Sequence, residues 1–94
     1  MPGAARLTDK CTGHGCFPSR PNTAASNDVF TNDLGAHRQG DAWRTHTCTG
    51  SHGGNLASGS PNVFINDKQA GRIGDPVSCG SKVRTGSDNV FINN

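Results

Sequence analysis

Three histidines and one cysteine of this chain have the residue types and the spacing of a structural metal site. An Arg-x-x-Asp motif occurs three times, and a possible zinc ligand follows four or five residues after each Asp: His14, His46 and Cys79. His52 lies six residues beyond His46 in the longest loop and can supply a fourth ligand. Three imidazoles and one thiolate form a complete tetrahedral set, which suits structural zinc. We therefore expect one zinc ion per chain at these four residues, with iron a less favoured metal.

The same composition argues against catalysis. All seven acidic residues are Asp, whereas Glu is the usual general base beside a catalytic zinc ion. Four protein ligands would also fill every coordination position, so that none is left for water or substrate. We expect no enzymatic activity from this chain.

The fourth histidine, His37, is not expected to bind metal. In the repeat it takes the place of Gly71, on a predicted strand and away from the loops that carry the other histidines. Its replacement by Ala is therefore expected to change neither metal content nor thermal stability.

The elements that must position these ligands come from an internal repeat. A Ser-x-x-Val-Phe-Ile/Thr-Asn phrase alternates with the Arg-x-x-Asp motif along the chain. The phrase stands at residues 26–32, 60–66 and 87–93, and the motif at residues 6–9, 38–41 and 72–75. Three copies of one unit in 94 residues predict three similar structural elements in one domain spanning residues 1–94.

Each copy of the phrase is typical of a β-hairpin. The Val-Phe-Ile segments have strand composition, and the Asn32-Asp33 and Asn66-Asp67 pairs that follow suit a tight turn. Residues 35–38 and 69–72 would be the returning strands. The third copy reaches its turn at Asn94, while residues 6–9 form a return strand without a hairpin. The two termini should therefore complete one repeat, and three hairpins should close around an axis in an all-β or irregular fold without helices.

The phenylalanines of the repeat stand on one face of their strands, and the neighbouring Val and Ile or Thr residues stand on the other. The set is Phe30, Phe64 and Phe91. A chain of this size can hardly bury both faces. We expect the three rings to meet in a common core; the alternative is an exposed apolar patch of the kind that marks contact sites.

The composition excludes several classes of function. The net charge is +2 and Lys and Arg occur singly, so we expect no nucleic-acid partner. No apolar stretch is long enough to span a membrane, and residues 1–10 lack the apolar core of a signal peptide. Only 31% of the residues are hydrophobic, which leaves a small core that a metal ion would help to stabilise.

The remaining cysteines admit several interpretations. Cys16 and Cys48 each follow a candidate ligand by two residues, whereas Cys11 has no counterpart in the repeat. They could be ligands, a disulfide or small buried hydrophobic residues. Because a reducing cytosol favours thiols, we expect all three to be free.

Taken together, these motifs resemble the PAAR-repeat family over essentially the whole chain. The family's Ala-Arg tripeptide region corresponds to residues 35–38 and 69–72, although the tripeptide itself is imperfect in both. The following Gly-Asp is present at Gly40-Asp41 and Gly74-Asp75. Gly-Ser precedes two of the strands, and Cys79-Gly80 matches a family Cys-Gly. The repeated Gly-Ser-x-x-Val-Phe-Ile-Asn frame is the more specific signal.

The resemblance implies a small cone-shaped fold with zinc near its apex, bound by three His and one Cys. These would map to His14, His46, His52 and Cys79. Such proteins cap the blunt tip of a trimeric β-helical spike, in contractile phage tails and in bacterial type VI secretion machines. One monomer with three similar faces would then sit on each spike trimer and make transient contact with the bacterial outer membrane.

Of the two settings, a phage tail is the expectation, with the virion baseplate as its location. The reason is that toxic type VI members often carry effector extensions, which this chain lacks. The alternative is the tip of a type VI spike, secreted through that system.

Overall fold

The computed structural model describes residues 1–92 and is built from short antiparallel strands. No α-helix occurs in this range, so the expected all-β class is confirmed. The strands pair as three separate two-stranded sheets, β1 with β2, β3 with β4 and β5 with β6. In chain order the strands are β1 (Phe30–Thr31), β2 (Leu34–Gly35), β3 (Ala42–Thr47), β4 (Ser51–Asn55), β5 (Phe64–Ile65) and β6 (Lys68–Gln69).

Two of the predicted hairpins form with the predicted turns. In the first, Phe30 pairs with Gly35, and β5 and β6 repeat this register. The turn residues Asn32 and Asp33 have φ values of 52° and 67°, and their counterparts in the second hairpin have the same values. Two consecutive residues with positive φ define the turn whose twist matches that of the flanking strands, and Asn and Asp tolerate this conformation.

The third hairpin is assembled from both ends of the chain, as the repeat predicts. Gly3 pairs with Phe91, and the backbone NH of Ala4 donates to the carbonyl oxygen of Val90 at 2.9 Å. A Cβ atom at Gly3 would collide with the carbonyl oxygen of Ser87, so the close approach needs glycine. The predicted turn at Asn94 lies outside the described residues.

A closed ring of backbone hydrogen bonds defines the pseudo-threefold axis. The NH of Ala5 donates to the carbonyl of Gly71 (2.9 Å), Gly71 donates to His37 (2.9 Å), and His37 donates back to Ala5 (3.1 Å). Each of these residues is the second of an Ala-x-Arg tripeptide. One peptide group from each repeat is thereby satisfied by the next repeat, so the three units close upon one another.

The axis holds one large side chain because the two related positions are small. His37 is fully buried, and a Cβ added at Gly71 would lie 2.8 Å from Cδ2 of Leu56 and 3.4 Å from Cβ of Ala5. The contact of 2.8 Å is too close for a real Cβ. The departures from a uniform tripeptide therefore compensate one another. An intact Ala-Ala-Arg, at Ala4-Ala5-Arg6, completes the set at the N-terminus.

The Arg-x-x-Asp motif is a bidentate ion pair that also joins successive repeats. Nε of Arg6 donates to Oδ2 of Asp9 at 2.9 Å, and Nη2 donates to Oδ1 at 3.1 Å. Nη1 of Arg6 reaches Oδ1 of Asn32 in the next hairpin turn at 3.1 Å. Arg38 makes the same three contacts one repeat further on. At Arg6 and Arg38 the motif thus ties its loop to a neighbouring hairpin.

The core is small and combines residues of the axial ring, of strand β3 and of the loops. Its members are the buried residues Ala5, Cys11, Trp43, Leu56, Val77 and Val83. The expectation that the three phenylalanines share this core is wrong: Phe30, Phe64 and Phe91 are 61%, 57% and 51% exposed. The three rings stay outside because Trp43, Leu56 and two valines already fill the core.

Candidate metal centre

His46 and His52 are brought together by the longest hairpin of the molecule. β3 and β4 pair so that His46 stands directly opposite His52. Directly paired residues project to the same face of a hairpin. The six-residue spacing noted in the sequence is therefore the span across this hairpin turn, with His46 buried and His52 partly buried.

His14 comes from a tight turn closed by reciprocal backbone hydrogen bonds with Phe17. The NH of His14 donates to the Phe17 carbonyl at 3.1 Å, and the reverse bond measures 2.8 Å. Gly13 and Gly15 have φ values of 71° and 55°, which allow the chain to bend on both sides of the histidine. The centroid of the Phe17 ring lies 4.9 Å from that of His14, 5.0 Å from that of His46 and 4.3 Å from that of His52. Phe17 thus shields the cluster, although no repeat pattern in the sequence singles it out.

Cys79 lies in a turn between Val77 and Ser81. The NH of Val77 donates to the Ser81 carbonyl at 2.8 Å, and Gly80 takes a φ of 109°. Burial alone would raise the pKa of the Cys79 thiol. Hydrogen bonding with Ser81 and Arg20 and the charge of Arg20 outweigh that effect, so the pKa lies below its ordinary value.

The four predicted ligands converge on one point. The donor atoms of His14, His46, His52 and Cys79 all lie within 4.8 Å of one another. Nε2 of His52 is 3.0 Å from Nε2 of His14 and 2.7 Å from Nε2 of His46. Two imidazole nitrogens bound to one tetrahedral zinc are about 3.3 Å apart, given bonds of about 2.0–2.1 Å. The cluster could therefore hold a metal ion after small side-chain movements.

The hydrogen bond made by His46 fits a cation at this point. Nδ1 of His46 faces the carbonyl oxygen of Pro18 at 2.8 Å, so it carries the proton and leaves Nε2 as a free lone pair. Nε2 of His52 can donate one proton at most, and it faces two other nitrogens. Three converging imidazole nitrogens and a sulfur are a donor set that suits a borderline-soft divalent ion.

The neighbours of His52 also favour its neutral, ligating form. Loss of hydration and the positive potential of His46, His14 and Arg20 lower its pKa below the ordinary histidine value. A neutral imidazole is the form that binds metal.

Cys16 and Cys48 form a disulfide, which corrects the expectation that both are free thiols. Their Cα atoms are 5.8 Å apart, within the usual range for a disulfide. The reason is geometric: each follows a candidate ligand histidine by two residues, so the closure that brings His14 to His46 also brings the two cysteines together. Cys11 and Cys79 are free thiols, as expected for Cys11.

His37 lies outside the cluster, but its side chain packs in the interior. Its Nδ1 is 2.8 Å from the Ala24 carbonyl oxygen, and its ring packs edge-on against Trp43 with centroids 5.2 Å apart. The expectation that replacement leaves stability unchanged is therefore at odds with complete burial.

Comparison with known proteins identifies the family. Residues 12–85 match the model of the PAAR motif. The chain belongs to the PAAR-motif family. It is 36% identical over 73 residues to the NAD(P)(+) glycohydrolase toxin Tse6 of Pseudomonas aeruginosa, covering 69% of this chain and 17% of that protein. The (p)ppApp synthetase toxin Tas1 of Pseudomonas aeruginosa is also 36% identical over 73 residues, with 69% and 16% covered. The chain thus spans about a sixth of the length of these relatives.

Proposed function

We propose that this PAAR-family chain is a zinc-bound tip that caps the trimeric β-helical spike of a bacterial type VI secretion machine. The observation that carries the proposal is the closed axial ring of Ala5, His37 and Gly71. It gives a single chain three similar faces about one axis, which is the symmetry needed to sit on a trimer as a monomer.

The type VI setting is favoured over the phage tail by the relatives. Both are toxins of a bacterium, whereas nothing in the comparisons supports a tail baseplate or a virion. Contact with the outer membrane of the target would be brief and mechanical.

Zinc is the metal that we propose for His14, His46, His52 and Cys79. The donor set is complete and tetrahedral in number, and zinc is common in closed sites of nitrogen and sulfur ligands. One ion per chain would join the His14 turn, the β3–β4 hairpin and the Cys79 turn.

The docking face that we propose is the phenylalanine patch, defined as Phe30, Phe64 and Phe91. All three side chains are more than half exposed, and the hairpins that carry them are related by the axis. Three exposed aromatic rings in related positions are typical of a contact site. The strand edges of the hairpins can add backbone hydrogen bonds to the end of a β-helix.

This chain itself is proposed to have no enzymatic activity. The activities named for the two relatives belong to those proteins, of which this chain matches at most 17%. A site with four protein ligands offers no open position for substrate.

Co-purification with a trimeric spike protein from the same genome tests the proposal. Native mass measurement of the complex should give one chain and one zinc ion per spike trimer. Three chains per trimer, or no complex with any spike of that genome, would defeat the cap. Binding to a phage tail spike alone would return the function to the phage setting.

A further inference from the structure

Arg20 is a buried arginine whose side chain reaches the metal cluster. It is only 4% exposed. Its Nε donates to the carbonyl oxygen of Arg44 at 2.7 Å, and its guanidinium carbon lies 5.4 Å from the centre of the Trp43 ring. These contacts fix the plane of the guanidinium group.

The two remaining guanidinium nitrogens each donate to a sulfur atom. Nη1 lies 3.0 Å from Sγ of Cys11, and Nη2 lies 3.2 Å from Sγ of Cys79. By contrast, the guanidinium group of each arginine in the repeat motif is paired with a carboxylate. Within residues 1–92, no ion pair joins Arg20 to a carboxylate. A buried cation with sulfur acceptors in place of carboxylates needs a specific explanation.

We propose that Arg20 is a positioning residue of the metal centre, which holds the sulfur of Cys79 in place through Nη2 while Nη1 is anchored on Cys11. This rests on the proposed ligand set. Metal ligands are commonly held in orientation by hydrogen bonds from side chains that do not themselves bind the metal.

The local structure is shaped for an arginine at this position. A Cβ atom added at Gly54 would lie 3.3 Å from Nη2 of Arg20, so glycine leaves room for the guanidinium beside strand β4. Only a planar fork can reach Cys11, Cys79 and the Arg44 carbonyl at once while stacking on Trp43. A lysine has one ammonium group and cannot make this set of contacts.

Arg20 also connects the metal centre to the core. Its contact with Trp43 continues to His37 on the axis, because the Trp43 and His37 rings pack edge to face. Cys11, its other sulfur partner, is completely buried in the core cluster. Cys79 is thus held from the side of the core as well as by its own turn.

The test compares Arg20→Gln and Arg20→Lys with wild type in the full chain. Zinc affinity is measured by competition with a chelator, and sulfur ligation by the sulfur-to-metal charge-transfer band of the Co²⁺-loaded protein. We expect both variants to lose about 10–100-fold in metal affinity and to show a shifted or weakened band. Arg44→Gln is the matched control, because Arg20 contacts only the backbone carbonyl of that exposed residue.

A double substitution separates positioning from general stability. In a Cys79→Ala background no sulfur is left to position, so adding Arg20→Gln should cause little further loss of zinc affinity. An equal further loss would mean that Arg20 acts only through the fold and would overturn the proposal. Wild-type affinity and an unchanged cobalt band in Arg20→Gln, or tighter binding after removal of the positive charge, would overturn it as well.

Cys11→Ala keeps the proposal testable should Arg20→Gln fail to fold. It removes the anchor of Nη1 and leaves the hydrogen bond to Cys79 possible, so we expect a smaller loss of affinity and a changed band. No change in either would overturn the proposal. A wild-type protein without affinity for zinc or cobalt would defeat the metal centre itself, which is a different failure from normal affinity in the variants.

Discussion

His37 illustrates how a single residue acquires a role from its place on the axis. It is fully buried. Within residues 1–92, neither Nε2 of His37 nor Nε1 of Trp43 has a hydrogen-bond partner. The position is occupied because Ala5 and Gly71 leave the space. A histidine here serves packing, whereas the other three histidines converge on the metal cluster.

Replacing His37 with Ala should therefore lower stability without removing the metal. The loss of a buried ring that packs on Trp43 should cost about 2–4 kcal/mol in the free energy of unfolding. Denaturant unfolding monitored by Trp43 fluorescence measures the loss, and elemental analysis should still give one zinc per chain. Loss of zinc in this variant would mean that the axial residue supports the site.

Stability should also depend on pH through His37. Burial lowers the pKa of His37, and this effect exceeds the opposing influence of the Ala24 carbonyl and Asp41. Below the unfolded-state pKa of about 6.5, the unfolded chain binds a proton that the folded chain does not. Stability is therefore expected to fall as the pH drops below that value.

The measurement uses metal-free protein, which removes the competition between protons and metal at the ligands. Denaturant midpoints between pH 7 and pH 5 are compared for wild type and His37→Ala. The slope should be shallower in the variant, and equal slopes would contradict the prediction.

At the scale of elements, the ligand-bearing turns are held by two kinds of cross-link. The disulfide joins Cys16 to Cys48, which lie 32 residues apart, and the proposed metal joins the same two segments to Cys79. Because Cys16 and Cys48 each stand two residues from a proposed ligand histidine, the disulfide restricts the positions of both histidines.

Removing the disulfide should therefore weaken both stability and metal binding. Cys16→Ser with Cys48→Ser should cost about 2–4 kcal/mol, since closing a loop of this length restricts the unfolded chain. Reducing conditions should lower the stability of wild type to that of the variant and leave the stability of the variant unchanged. Four free thiols in the denatured, unreduced protein would contradict the assigned pairing.

The ligand residues should couple metal retention to folding. His14→Ala, His46→Ala or Cys79→Ala should lower zinc content and melting temperature together, because metal bound only by the folded chain stabilises it. A chelator should lower the melting temperature of wild type towards that of these variants. If a variant kept one zinc ion per chain, the substituted residue would not be a ligand.

At the scale of the whole molecule, the phenylalanine patch and the metal cluster are carried by different elements. The patch lies on the short hairpins of the repeat, and the ligands lie on the longer loops and on β3 and β4. Changes at one should therefore leave the other intact.

Serine in place of Phe30, Phe64 and Phe91 should abolish spike binding while zinc content stays at one per chain. The rings are exposed, so the fold loses little. Moderate salt should weaken wild-type binding only slightly, because the proposed contact is apolar and backbone-mediated. Unfolding or zinc loss in the variant would show that the patch supports the structure.

The repeat made much of this architecture predictable. Asn32-Asp33 specifies its turn through local backbone preference, and the spacing of the copies specifies three hairpins and the joining of the termini. The convergence of His14, His46 and Cys79 follows from their similar offsets of four or five residues in equivalent loops. These features depend on short-range chemistry and periodicity, which a sequence displays directly.

Only the tertiary structure decided which faces and which distant groups meet. Whether Phe64 is buried depends on what packs against its hairpin, and Trp43 and Leu56 from other segments already fill the core. The pairing of Cys16 with Cys48 and the contact of Arg20 with Cys79 join segments 32 and 59 residues apart. No local pattern encodes such distances, because they are set by the closure of three unequal repeats around a common axis.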